Sequence, residues 1–187
     1  TPVTTFMAVI VKSAAFVLVA RVLVGALGSE VTSSFATGWP GLVAALATLT
    51  ILVGSVATVS QSSVKRMLAY SSIANAGFIL LSVAAAPRVG EGALTAALFY
   101  LPAYAASSIA ALGGLILLGS HGLEAVSYED LAGVGRRHPW LALPLVVGVL
   151  SLMGFPPTAG FLGKWFVLGA AVRAGGVMLP LAVIAVL

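Results

Sequence analysis

LSLMGFPPTAGFLGKW, from Leu150 to Trp165, interrupts an apolar run and places a lysine just beyond the interruption. The run extends from Pro139 to Val172. One straight helix of that length would reach about 50 Å at helical rise, well beyond the roughly 30 Å hydrocarbon core of a bilayer. Pro156 and Pro157 each remove a backbone donor and clash with the preceding turn, and Gly154 and Gly160 flank them. The stretch predicts a discontinuous membrane helix with halves near 139–154 and 160–172, broken between Gly154 and Gly160. A kink between two short segments would also accommodate the prolines. Lys164 argues against that plainer reading, because an intramembrane lysine costs about 2.5–3.5 kcal/mol on insertion scales and by default marks a pathway.

The remaining composition agrees with a membrane setting. Of 187 residues, 60% are hydrophobic and 7% charged, and the mean hydropathy is +1.16. These values define an all-α, polytopic transmembrane bundle. The nine basic residues exceed the five acidic ones but sit singly or in pairs at segment ends, a topology signal and no nucleic-acid surface. There is no cysteine, so thiolate ligation of iron–sulfur clusters is excluded. The two histidines, His121 and His138, share one loop, which rules out a bis-histidine haem within the membrane. TPVTTF lacks a basic n-region and a cleavage site, so it is no signal peptide. Thr1 is no initiator, and the chain stops inside an apolar run, so residues 1–187 are expected to be a single membrane-domain fragment cut at both ends.

About six spans are expected. The first, over 3–27, carries Lys12 about 13 Å from its start, near mid-membrane, with Thr5 on the same face. Arg21 lies nearer the far end and can snorkel. Trp39 suits an interface. A second span over 41–59 holds Thr48, Thr50, Ser55 and Thr58, read as helix-packing residues. On a third, over 67–86, Ser71, Asn75 and Ser82 fall within about 40° of one another on a 3.6-residue wheel. That stripe could hold a water chain or join two helices, and joining is the better reading. A fourth, over 93–119, aligns Tyr100, Tyr104 and Ser107, with Ser108 beside them and a bend expected at Pro102. A short surface helix is expected around 123–131, and a last span begins near Val177 with Pro180 in its first turn. Four basic residues, Lys65, Arg66, Arg136 and Arg137, lie in the loops at one end, against Arg88 and Arg173 at the other. The first end is therefore assigned to the cytoplasm.

Lys12 and Lys164 are the ionisable groups placed well inside the bilayer. A buried ammonium with no counter-charge is costly, and a lysine able to exchange its proton is what a relay needs. Lys164 also follows soon after the start of a half-helix, whose positive end opposes a cation. Snorkelling to the interface is the alternative, reasonable for Lys164 if the break is off-centre and poor for Lys12.

TPVTTF, VKSAAF, QSSVKRMLAYSSIANAGFILL, EDLAGVGRRHP and SLMGFPPTAGFLGK together resemble the proton-translocating, antiporter-like membrane subunits of respiratory complex I. The likeness covers nearly the whole chain in order, and PPTAGF with YEDLAG…RRHP favours the N-type branch. The resemblance implies about fourteen helices in two inverted five-helix repeats, of which this stretch would hold most of the second. It implies that Lys12 is a central relay lysine and that Lys164, on the broken helix, exchanges protons with the outer side. Lys65 matches the lysine of the KR motif, where a relay role and an anchor for the third span weigh equally. Ser71, Asn75, Tyr104 and Ser108 would line the polar path. The glutamate–lysine pair of the first repeat would lie upstream. Two departures stand out: Asn75 occupies a place where many relatives have histidine, and Ser108 one where N-type relatives commonly have asparagine. Neither side chain titrates.

The resemblance further implies a proton-pumping complex I subunit in a bacterial inner membrane, among other membrane subunits, with water and protons as its cargo. NADH, FMN, iron–sulfur clusters and quinone would belong to partner subunits, and no cofactor or metal to this chain. A cation/proton antiporter subunit of the Mrp type, or a membrane-bound hydrogenase subunit, would share the same motifs. Intramembrane carboxylates would favour direct cation binding, and none falls in these spans. A third possibility is a structural subunit whose lysines only fix helix packing.

Overall fold

The computed structural model describes residues 2–28, 33–35, 38–119 and 127–186. Four helices in it are long and apolar enough to cross a membrane: α1 (Pro2–Ala26), α2 (Trp39–Val59), α3 (Val64–Val89) and α4 (Glu91–Leu118). A four-residue turn of helix, α5 (Val134–Arg137), leads into the broken pair, α6 (Pro139–Met153) and α7 (Ala159–Ala174), and α8 (Met178–Val186) follows. Of the six crossings expected, four are continuous helices long enough to cross, and the broken pair and the nine-residue α8 stand at the places of the other two. The helices extend two or three residues past several expected ends, and α4 runs without interruption through Pro102.

The core is built from small residues. Ala44, Ala47 and Ile51 of α2 pack against α3, where a side chain at Gly54 or Gly77 would strike the facing helix. A side chain at Gly114 or Gly148 would likewise strike across the α4–α6 seam. Without a hydrophobic drive between helices in lipid, such close backbone approach supplies the dispersion contact that holds a bundle together. Of the α2 hydroxyls expected to serve helix packing, Thr48 is buried on the same face as Ala44 and Ile51, and Thr50 and Thr58 are half-buried. Thr48, Thr50 and Thr58 donate to carbonyls of their own helix, at Ala44, Leu46 and Gly54, and Ser55 is exposed.

The surface helix expected around 123–131 is also corrected. Residues 123–126 lie outside the described ones, and 127–133 form turns. Ser127 and Asp130 exchange hydrogen bonds between side chain and backbone at 3.0 and 3.1 Å, which closes a turn, and Gly133 at φ 76° starts α5 afresh.

Two stitches fix the ends of the bundle. At one end Ser63 pairs with Ser127 in an isolated antiparallel bridge, joining the loop before α3 to the loop before α5. At the other, Arg88 donates to the carbonyls of Ala174 and Gly175 at 3.2 and 3.3 Å and lies 4.7 Å over the Phe35 ring. Arg88 therefore links three connections. Trp39 donates to the Leu27 carbonyl at 3.0 Å and anchors the start of α2 to the end of α1.

Candidate proton-relay site

Both lysines singled out in the sequence reach into the bundle, each held by neutral oxygens. Lys12 Nζ donates to the Ser72 carbonyl at 2.9 Å and to Ser72 Oγ at 3.1 Å. The Ser72 hydroxyl gives its own proton to the Ala69 carbonyl at 2.7 Å, which leaves its lone pairs for the lysine. A cavity of about 330 Å³ opens beside this contact, lined by Lys12, Ser72, Tyr104 and Ser108 among apolar side chains. That volume accommodates several waters, and these polar groups offer them partners. The Tyr104 hydroxyl donates to the Ala8 carbonyl at 3.3 Å and stands within hydrogen-bonding reach of Ser72 and Ser108.

The backbone of α1 explains which residues meet here. Met7–Val11 is π-helical and ends directly before Lys12, and a second π stretch begins at Arg21. A π turn holds about one residue more than an α turn. It moves Thr4, instead of the expected Thr5, onto the face of Lys12, and Thr4 lines the cavity. π bulges within α-helices occur often at functional sites.

A second polar group lies deeper. Asn75 is 2% exposed and donates to the Ser71 carbonyl at 2.8 Å and to Ser71 Oγ at 3.3 Å. Its Oδ1 accepts from the Tyr100 hydroxyl at 2.5 Å. The Tyr100 ring packs against Gly163, the residue before Lys164, where any side chain would displace it. Ser82, also on the expected stripe, instead joins α3 to α4 through the Ala93 carbonyl at 2.7 Å.

The helix break is built by reciprocal capping. Residues 154–158 are non-helical, with Gly154 at φ 85°, while Gly160 already belongs to α7. Helix ends leave donors and acceptors without intrahelical partners, and each half supplies what the other lacks. Lys164 of α7 donates to the last carbonyls of α6, Leu152 at 2.9 Å and Met153 at 3.1 Å. Ser151 of α6 accepts from the Gly160 N–H at 3.2 Å, and Thr158 accepts from Phe161 at 3.4 Å. The expected opposition between Lys164 and the positive end of its own half-helix is thereby corrected. Its ammonium reaches back to the negative end of α6, where a cation is favoured.

Ser151 also meets Ser107 of α4, at 2.6 Å. Ser107 gives its proton to the Ala103 carbonyl at 2.7 Å, so Ser151 donates to Ser107. The chain Gly160 N–H, Ser151, Ser107, Ala103 has every hydrogen committed. It is a clamp holding the break at the level of mid-α4.

Sequence reading alone missed Ser72, Ser151 and Phe78, whose ring centroid lies 5.0 Å from Lys164 Nζ. Ser151 could have been found from its place nine residues before Gly160 in a short interruption. Lys65 sits in the first turn of α3 and does not line the cavity.

A bundle of apolar helices with one broken crossing and two inward lysines defines an integral membrane protein of antiporter-like construction. The family model described as "NADH:quinone oxidoreductase/Mrp antiporter, TM" matches residues 1–187, and the chain belongs to that family. It is 56% identical over 174 residues to NADH-quinone oxidoreductase subunit N 1 of Sorangium cellulosum, covering 93% of this chain and 34% of that protein. It is 40% identical over 179 residues to NADH-quinone oxidoreductase subunit N of Nitrosomonas europaea, covering 96% of this chain and 36% of that protein. In a solved structure of respiratory complex I from Thermus thermophilus with bound aureothin, one chain matches at 36% identity and a TM-score of 0.67. That match covers 80% of this chain and 32% of the other. The chain thus spans about a third of the length of the relatives it matches.

Proposed function

We propose that this chain is the second-repeat region of an N-type membrane subunit of NADH–quinone oxidoreductase, and that it conducts protons through Lys12 and Lys164. The observation that carries this reading is the placement of two lysines, held by neutral oxygens, beside inward polar groups: half-buried Ser72 with buried Tyr104 and Ser108 beside Lys12, and buried Tyr100 and Asn75 toward Lys164. Lys12 takes up a proton from water in the cavity beside it. The proton passes along water held by the hydroxyls and the Asn75 amide, groups that order water without titrating, to Lys164. From the helix break it leaves toward the outer side.

The basic loops before α3 and α5 face the cytoplasm under the positive-inside rule. Electron transfer from NADH through FMN and iron–sulfur clusters to quinone takes place in partner subunits and drives the relay. Resemblance to N-type subunits favours this over cation/proton exchange.

The test is NADH-driven proton uptake in inverted membrane vesicles carrying the full-length subunit, with assembly followed on native gels. Lys164→Met lowers uptake about a hundredfold, the lower end of what loss of a positioned proton-transfer group costs. Lys65→Ala has a smaller effect, because Lys65 stands in the first turn of α3, near the membrane edge, and does not line the cavity. Full uptake in an assembled Lys164→Met complex would show that this lysine only caps α6.

A further inference from the structure

Lys164 has a third partner that no backbone group supplies. Its Nζ lies 5.0 Å from the centroid of the Phe78 ring, and Phe78 is 7% exposed within the alanine-rich core. A neutral amine has two N–H groups and an ammonium three. The carbonyls of Leu152 and Met153 accept two. They take both hydrogens of the neutral amine but leave one N–H of the ammonium without a partner among them. The negative face of an aromatic ring attracts a cation within about 6 Å, most strongly where water is excluded. It has no lone pair to accept the proton. The ring therefore discriminates between the two protonation states, whereas the carbonyls serve both.

We infer that Phe78 is a positioning residue for proton transfer: its ring face holds the loaded, protonated form of Lys164 against the open end of α6. The inference rests on the relay role proposed for Lys164. Phe78 also lies one turn beyond Asn75 on α3, the helix that carries Ser72 and Asn75 of the polar path.

The experiment replaces Phe78 in the full-length subunit of the assembled complex and measures NADH-driven proton uptake. Phe78→Leu keeps an apolar side chain but no ring face, and lowers uptake about tenfold, the scale of a lost desolvated cation–π contact. Phe78→Tyr keeps the face and recovers most of the rate. Mono-, di- and trifluorinated phenylalanine at position 78 drain the face with little change of shape, and uptake falls in that order. This series decides the matter if the leucine variant fails to assemble. Equal uptake across the fluorinated series would overturn the inference, since only ring volume would then matter. Lys164→Met, measured in parallel, separates the two ideas. If it pumps at full rate, the relay reading fails. If it is impaired while the fluorinated series is flat, only the role of Phe78 fails.

Discussion

Gly160→Ala is expected to prevent normal assembly of the subunit. A Cβ at this position would fall inside the contact distance of the Ser151 carbonyl oxygen and lie 2.9 Å from Ser151 Oγ. The carbonyl belongs to the last full turn of α6 and cannot swing away without loss of helix, so the two half-helices must separate. Overpacking of this kind costs about 1–3 kcal/mol in well-packed cores. Here it also breaks the Gly160–Ser151 hydrogen bond and draws Lys164 off the α6 carbonyls. The measurement is the amount of intact complex on native gels, compared with Gly113→Ala, whose Cβ would meet nothing within 4 Å. Gly160→Ala reduces intact complex several-fold and Gly113→Ala leaves it unchanged. Equal assembly would show that the half-helices tolerate separation and that the break is not a fixed structure.

The second large effect is expected at Lys12. Lys12→Arg keeps the positive charge and a comparable reach, but an arginine does not release its proton in proteins. Lys12→Met keeps the volume and removes the titrating group. Both lower NADH-driven proton uptake about a hundredfold or more, the range for loss of a positioned acid–base group. A purely structural lysine would behave differently. Arginine could still donate to the Ser72 carbonyl and would preserve function, while methionine would not. The ordering of the two variants therefore separates a relay from an anchor, provided that both assemble.

The break was legible in the sequence because prolines and glycines act locally. Two adjacent prolines, Pro156 and Pro157, remove two consecutive backbone donors just after Gly154, and the non-helical residues are 154–158, whereas the single Pro102 leaves α4 unbroken. Lys12 and Lys164 stood out because charge is rare in these spans. Asn75, Tyr100 and Tyr104 were placed on inward faces by helical periodicity, and all three are buried. What periodicity could not give was partnership between helices. Ser72 and Lys12 are sixty residues apart, and their meeting depends on a π turn that has no signature in MAVIV. That same turn put Thr4 where an ideal helix predicts Thr5. Thr48 of α2 is buried as a packing residue is, but its hydroxyl, like those of Thr50 and Thr58, bonds a carbonyl one turn back on its own helix, which periodicity does not reveal. The capping of α6 by Lys164 lay hidden for a similar reason. A side chain near one helix start reads as a neighbour of that start until the preceding helix end is seen beside it.

The most direct test of a single proton path is a double-mutant cycle on NADH-driven proton uptake with Lys12→Met, Lys164→Met and the pair together, each in assembled complex. Residues that act as a unit are strongly non-additive. If both lysines serve one path, the double variant pumps no more slowly than the slower single variant. Multiplication of the two single effects would contradict a shared path, and full uptake in either single variant would remove that lysine from it.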